Sequence, residues 1–491
     1  MTEVYLAFDL GAESGRALLG TLDDAECLQI EEIRRFPNGM INVMGNLHWD
    51  ILGLYREILE GLRLLATEYT SSPKSIGIDT WGVDFTLLDA SGALIGAPFT
   101  YRDRRTKGAM KEFFLRIPKE KLYQLTGVQF MPFNTLFQLY SMVRDNSPQF
   151  EIATDLLFIP DIFNYYLTGI KNSEFTLATT SQLYNPRTES WEDEIFAQLG
   201  ISQDMMQEIV QPGKIIGEIT NNVRAQTGLK GIPTVAVASH DTGSAVAAVP
   251  ALGKNFAYIS CGTWSLMGIE SPVPIINEKT LKYNFTNEGG VCRTFRILKN
   301  IAGLWVLQQC RKEWAKTREY SYDELVEMAQ NVVPCSSIID QDRPEFFNPP
   351  NMPLTIENFC RRTGQKVPHD IAQYVHVVLQ SLALAHRYTL EQIEEISAIG
   401  IDKIYIIGGG SQNPLLCQFT ADATGLPVYA GPAEATAIGN ILVQAMAFGR
   451  VSSIEQLREI VRRSFSLFLY KPQHTSEWDE KYERFAKIKK T

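Results

Sequence analysis

What this chain has little of narrows the field before any motif is read. Its 491 residues hold seven cysteines, Cys27, Cys261, Cys292, Cys310, Cys335, Cys360 and Cys417, scattered, odd in number and never spaced C-x-x-C. That excludes a zinc ribbon and a disulfide frame and reads as reduced thiols. No apolar run approaches the ~18 residues needed to cross a bilayer. The N-terminus enters an apolar, β-rich run without the basic stretch and apolar core of an export signal, so the expectation is a soluble, cytoplasmic protein. Positive charge is in deficit, with a formal net charge of −10. An extended nucleic-acid or anionic-membrane surface is therefore not expected, and small molecules are the expected partners.

What is present is α/β in character. Short β-branched or aromatic runs ending in Gly, Asp or Ser alternate with helical patterns. Strands are expected at Val4–Asp9, Arg16–Thr21, Ser75–Asp79, Val83–Asp89, Thr234–Ala238 and Lys403–Ile407. Ile51–Tyr69 reads as an amphipathic helix behind an Asp50 cap. Further helices are expected around Ser244–Val249, Leu304–Trp314, Asp370–Ile396 and Ala435–Phe448. A length of 491 residues suits two similar lobes. The expected division is 1–248 and 255–450, with a hinge near 245–255 and a charged peripheral segment, 451–491.

Two stretches share a layout. Phe8 to Arg16 reads F-D-L-G-A-E-S-G-R and Ile259 to Leu266 reads I-S-C-G-T-W-S-L. Each places a G-x-x-S turn, Gly11–Ser14 or Gly262–Ser265, after a β-rich run. Such a turn lets backbone N–H groups and hydroxyls face a phosphate. Asp9 has Ser260 as its counterpart, so only the first turn offers a carboxylate to a magnesium ion. A third stretch, Tyr405 to Gln418, ends a buried strand in Gly408-Gly409-Gly410, where absent Cβ atoms would let a purine or its phosphates lie against the backbone. The alternative is a strand-to-helix turn with no ligand. A fourth, Ser239-His240-Asp241-Thr242, puts Asp241 at a strand end, where α/β folds place ligands, as a candidate base for a hydroxyl proton. Asp241 could instead cap the helix starting near Thr242, and His240 could be a satisfied structural histidine.

These motifs, in this order, resemble the FGGY carbohydrate kinases of the sugar kinase, Hsp70 and actin superfamily. Further matches are H-W-D at His48–Asp50, G-I-D-T-W-G-V-D-F at Gly77–Phe85, Y-R-D-R-R-T at Tyr101–Thr106, A-S-H-D-T at Ala238–Thr242, N-F-T-N-E-G-G at Asn284–Gly290 and L-K-N-I-A-G-L-W at Leu298–Trp305. The resemblance covers about residues 4–450. Where many members carry a K-x-x-W-type element, this chain has N-T-L-F-Q-L, Asn134–Leu139, which favours the branch acting on L-rhamnulose over xylulose or glycerol kinases.

The resemblance implies two ribonuclease H-like α/β lobes with a central ATP cleft, and transfer of the γ-phosphoryl of MgATP to O1 of L-rhamnulose. It puts Ala12, Glu13, Ser14, Gly15, Arg16 and Thr263 on the ATP phosphates, Gln308 near the nucleotide and Gly409 under the adenosine. Gly82, His240, Asp241, Thr242 and Asn300 face the sugar, with Asp241 as the base and Asp9 for Mg²⁺. Neither Glu13 nor Cys261 is assigned a catalytic side chain. Asp79 and Asp84 either bind sugar hydroxyls or simply end their strands. The expected assembly is a monomer or homodimer. The competing readings are another ketose kinase, such as one for L-fuculose, and a non-catalytic actin-like ATP-binding module. A sugar-responsive regulator would be expected to carry a helix-turn-helix extension, and the chain starts directly at its first strand.

Overall fold

The computed structural model describes residues 2–69 and 72–490. The chain folds into two compact units. The first comprises Met1–Ala248, Glu270–Ile297 and Thr436–Ser464, and the second Val249–Ile269, Leu298–Ala435 and Phe465–Thr491. The chain thus passes from one unit to the other several times, which no local composition shift announces.

The first unit is built on a six-stranded sheet, in the order Lys214–Glu218, Pro233–Ala236, Ile76–Thr80, Glu3–Leu10, Ser14–Leu22, Leu28–Pro37. Its three central strands run parallel and its outer pairs are antiparallel. The period of two sorts each central strand into two faces. Leu6, Phe8 and Leu10, with Ile76 and Ile78, join a core completed by Ile58 and Leu62 of the helix Ile51–Glu68 and by Ile162 and Phe163 of the helix Ile159–Thr168. Asp50 caps the first of these helices, its carboxylate accepting from Gly53 N–H at 2.9 Å. The opposite sheet face packs on the helix Ala435–Ala447. A Cβ on Gly20 would lie 2.6 Å from Ile441, and one on Gly439 would collide with the Ser244 carbonyl.

The second unit centres on Phe256–Cys261, antiparallel to Trp264–Ser271 and parallel to Lys403–Ile407, with Val428–Ala430 and Phe468–Tyr470 beyond. The helix Ile371–Ser397, 27 residues long and largely buried, covers it. The helix Thr475–Lys490 buries Trp478 and Phe485. No helix among the described residues is long and apolar enough to cross a membrane. All seven cysteines are free thiols.

Most expected elements form within a residue or two of their sequence limits. The exceptions lie at the candidate site. The strand expected from Val83 starts two residues later, at Phe85, which leaves Val83 and Asp84 in the turn before it, and the helix expected from Ser244 starts three residues earlier, at Asp241, with His240 as its N-cap residue.

Candidate active site

Three carboxylates stand at the carboxyl ends of neighbouring strands in the first unit. Asp9 and Asp79 are register partners in the parallel pair, and Thr80 N–H donates to Ser239 O at 2.8 Å, which brings the Ser239–Thr242 turn alongside. Asp9 also pairs across the hairpin with Arg16, whose guanidinium donates to it at 2.5 Å. Asp79 is fully buried. It accepts from Asn440 Nδ2 at 2.6 Å, while its Oδ1 has no hydrogen-bond partner among the described residues. Burial pushes the Asp79 carboxyl well above the usual range, the Asp9 charge adds to this, and the Asn440 hydrogen bond opposes it. Asp241, half-buried at the first position of its helix, is also raised: burial raises it, His240 lowers it and Asp9 raises it again. Its Oδ1 accepts from the N–H and the hydroxyl of Thr242.

A chain of buried amides sets Asp79. Ser75 donates to Gln444 at 2.7 Å, Gln444 to Asn440 at 2.8 Å, and Asn440 to Asp79. Gly77 makes room for it, since a Cβ there would strike Asn440 and lie 2.7 Å from Gln444. Glu174 ties the other side down. One of its oxygens accepts from the N–H groups of Thr176, Leu177 and Ser239, and Thr176 Oγ1 accepts from His240 N–H at 3.0 Å. Burial lifts the Glu174 carboxyl to about 7. Neither brace was among the sequence candidates, because their bonds to the site and to the sheet span 64 to 369 residues.

Asp84 is engaged by donors from within the protein. It is fully buried, and its carboxylate accepts from Trp49 Nε1 at 2.7 Å, Trp81 Nε1 at 3.0 Å, Tyr101 N–H at 3.1 Å and Gln138 Nε2 at 2.8 Å. H-W-D, W-G-V-D, Y-R-D-R-R-T and N-T-L-F-Q-L therefore converge on one oxygen pair. Burial raises Asp84 to about 6 against these four hydrogen bonds. The same cluster supports a tight turn in which Asp84 N–H donates to Gly82 O at 3.0 Å and Val83 takes φ +68°. A β-branched residue pays strain there. Thr135 holds the turn through the Val83 carbonyl at 2.6 Å. Gly82 itself faces His240, and a Cβ on it would sit 3.2 Å from Nε2.

The first glycine turn closes with Gly11 N–H on Ser14 O at 2.9 Å and is pinned by Asn38, whose amide donates to Gly11 O and whose N–H donates to Glu13 O. Ala12, Ser14 and Arg16 are half-buried and Glu13 is exposed; Gly15 is buried against the Phe36 ring. In the second unit, Gly262 N–H closes on Trp264 O at 2.8 Å, one residue sooner. Thr263 is half-buried and accepts from Gln308 Nε2 at 3.3 Å, and the start of the helix Trp305–Trp314 is tied to the turn through Leu304 N–H on Gly262 O and Trp305 N–H on Thr263 O. Ser265 departs from the expectation that both serines face an anion. It is fully buried and shares a 2.8 Å hydrogen bond with His386, which burial depresses to about 3. Of the three glycines, Gly408 and Gly410 are needed against Cys261, whereas a Cβ on Gly409 would meet open space. Asn300 is half-buried on the strand Phe295–Ala302.

The sequence models of the FGGY family of carbohydrate kinases match over nearly this whole frame, the N-terminal domain at residues 4–248 and the C-terminal domain at 257–448. The chain belongs to the FGGY family of carbohydrate kinases. It is 48% identical over 485 residues to a rhamnulokinase of Bacteroides thetaiotaomicron, covering 99% of each chain, and 43% identical to one of Oceanobacillus iheyensis, covering 96% of this chain and 98% of that one. Its fold matches a xylulose kinase of Lactobacillus acidophilus with a TM-score of 0.82 at 15% identity, covering 99% and 98% of the two chains. A glycerol kinase of Plasmodium falciparum matches with a TM-score of 0.80, also at 15% identity.

As an FGGY carbohydrate kinase the chain is an α/β enzyme that uses ATP on a small-molecule sugar substrate. The described residues contain no ready-made cluster of three or more metal ligands. Magnesium, which keeps several waters and leans on substrate phosphates, does not require one. Asp79 keeps one oxygen without a hydrogen-bond partner among the described residues, and its carboxyl is raised by burial and by the Asp9 charge, a strain that a divalent cation bound beside the two would relieve.

Proposed function

We propose that this chain transfers the γ-phosphoryl of MgATP to O1 of L-rhamnulose, giving L-rhamnulose 1-phosphate and ADP in the breakdown of L-rhamnose. The sugar assignment is supported by the rhamnulokinases that match it end to end. The chemistry is carried by one observation, the half-buried Asp241 carboxylate beyond a strand end, with a raised pKa and His240 beside it.

In this reading Asp241 takes the O1 proton while O1 bonds to the γ-phosphorus and the bond to the β,γ-bridging oxygen breaks. Ala12, Glu13, Ser14, Gly15, Arg16 and Thr263 hold the phosphates, the turn amides doing most of this for Ala12 to Gly15. Gln308 orients the nucleotide and Gly409 leaves space for the adenosine. Gly82, His240, Thr242 and Asn300 position the sugar. Mg²⁺ when bound would neutralise phosphate charge, with Asp9 as its protein ligand, directly or through water. Region 1–248 then supplies the base and the first phosphate turn, and region 255–450 the second turn and the adenosine contact. The protein acts in the cytoplasm as a monomer or homodimer.

A coupled ADP-release assay over L-rhamnulose, L-fuculose, D-xylulose, L-ribulose and glycerol tests the assignment. The expected result is the highest kcat/KM for L-rhamnulose. A preference for another member would leave the kinase and remove the substrate.

A further inference from the structure

Glu288 of the segment N-F-T-N-E-G-G and Arg296 at the start of the strand after it have no part in the chemistry above, yet they bring two charged side chains to the back of His240. Arg296 has no solvent exposure. Its Nε donates to Gly289 O at 2.8 Å, and its NH2 lies 3.2 Å from His240 Nδ1 and 3.2 Å from Glu288 Oε2. Glu288 Oε2 lies 3.4 Å from the same Nδ1. The two neighbours make opposite demands. A guanidinium can only donate, so it requires a lone pair on Nδ1, whereas a carboxylate can only accept and would favour a proton there. Arg296 is the nearer, and of the two only its contact with Nδ1 meets hydrogen-bond geometry. The carboxylate serves instead to balance the buried guanidinium charge. The other face of the ring points Nε2 toward Gly82 and lies 3.6 Å from Asp241 Oδ1. Behind the backbone, Glu174 reaches His240 only through Thr176.

We propose that Arg296, charge-balanced by Glu288, is a positioning residue that holds His240 as the Nε2–H tautomer, so that the ring donates a hydrogen bond to an acceptor oxygen of the ketose next to the reacting hydroxyl. This rests on the function proposed above. It gives the site one fixed donor, His240, beside one acceptor, Asp241, and so matches a sugar edge carrying an acceptor oxygen beside the hydroxyl that loses its proton. The opposite tautomer would present a bare lone pair and would select a second hydroxyl donor instead.

Imidazole ¹⁵N spectra of the ligand-free protein test the proposal, the His240 signals being those lost in His240→Gln among six histidines. The expected spectrum is neutral imidazole with the proton on Nε2, unchanged in Glu288→Gln. The double variant Arg296→Met with Glu288→Gln leaves no buried unpaired charge; there the tautomer should become mixed, and KM for the ketose should rise roughly tenfold with KM for ATP unchanged. A proton on Nδ1 in the wild type overturns the proposal, whether or not the double variant folds. So does an unchanged tautomer and ketose KM in a folded double variant. A wild type inactive on every ketose would instead sink the proposed function and leave the spectrum to decide the tautomer.

Discussion

The two glycine turns look alike in sequence and differ in almost everything that chemistry uses. In the first, four residues separate the last paired positions, Leu10 and Gly15, so Asp9 stands opposite Arg16. In the second, three residues separate Cys261 and Ser265, so Ser260 stands opposite Leu266. One residue of register changes which side chains meet across a hairpin. The first turn therefore carries an ion pair, with Asp79 alongside Asp9, and is held from outside by Asn38. The second is neutral and held by the start of the helix Trp305–Trp314, its serine turned inward to His386. The lesson is that a repeated spacing licenses the expectation of a repeated backbone turn, but not of repeated side-chain roles.

The sharpest break in the comparison concerns the charged unit. Asp241→Asn should fold and bind ATP normally by calorimetry while kcat falls by ~10²- to 10⁴-fold, the usual contribution of a general base. Because Asp241 must be unprotonated to accept, and burial raises its pKa, the wild-type rate should fall on the acid side at a pH above the ordinary carboxylate range. That limb should vanish from the residual activity of the variant. Near-normal kcat in folded Asp241→Asn would remove the base from this unit.

Next in size is the contrast at the counterpart positions. Asp9→Ala should cost roughly 10²- to 10³-fold in kcat/KM, with a higher Mg²⁺ requirement, whereas Ser260→Ala should cost less than about threefold. Equal losses in a magnesium titration would erase the asymmetry. A stability effect follows in the neutral turn. A Cβ on Gly303 would lie 2.5 Å from the Trp264 backbone, while one on Gly262 meets nothing. Gly303→Ala should destabilise by about 2 kcal/mol and Gly262→Ala by well under that, compared by thermal unfolding. The smallest effect is expected at Asn38. Asn38→Ala deletes one side-chain hydrogen bond to the first turn, worth about 1 kcal/mol, and should raise KM for ATP a few-fold with kcat little changed. No change in KM would mean that the first turn holds its shape without that pin.

How much of this was legible depended on range along the chain. The strands Glu3–Leu10 and Lys403–Ile407 and the helix Ile51–Glu68 follow from periodicity and an Asp cap, because a face of one element is written in consecutive residues. The approximate positions of Asp9, Asp241 and the two turns were legible for the same reason. The helix start was legible only as the alternative of a helix near Thr242 capped by Asp241; that His240 rather than Asp241 is the N-cap residue was not, since the turn before it is held by Glu174 and Thr176, about 65 residues upstream. Nor was the environment of Asp84: the W-G-V-D motif marks it as important, but only folding shows that its neighbour Trp81 and three donors from distant segments converge on its carboxylate.

Local pattern by itself determined the α/β class, the order of the two glycine turns and the identity of the candidate base, since each depends on residues within a few positions of one another. The tertiary structure alone decided what each polar group does. It assigned Asp79 to a buried amide relay, Ser265 to His386, two of three glycines to Cys261, and Arg296 to the back of His240. The reason is physical. A buried donor or acceptor must find a partner or cost free energy, and which partner it finds is set by packing across hundreds of residues rather than by its neighbours in the chain.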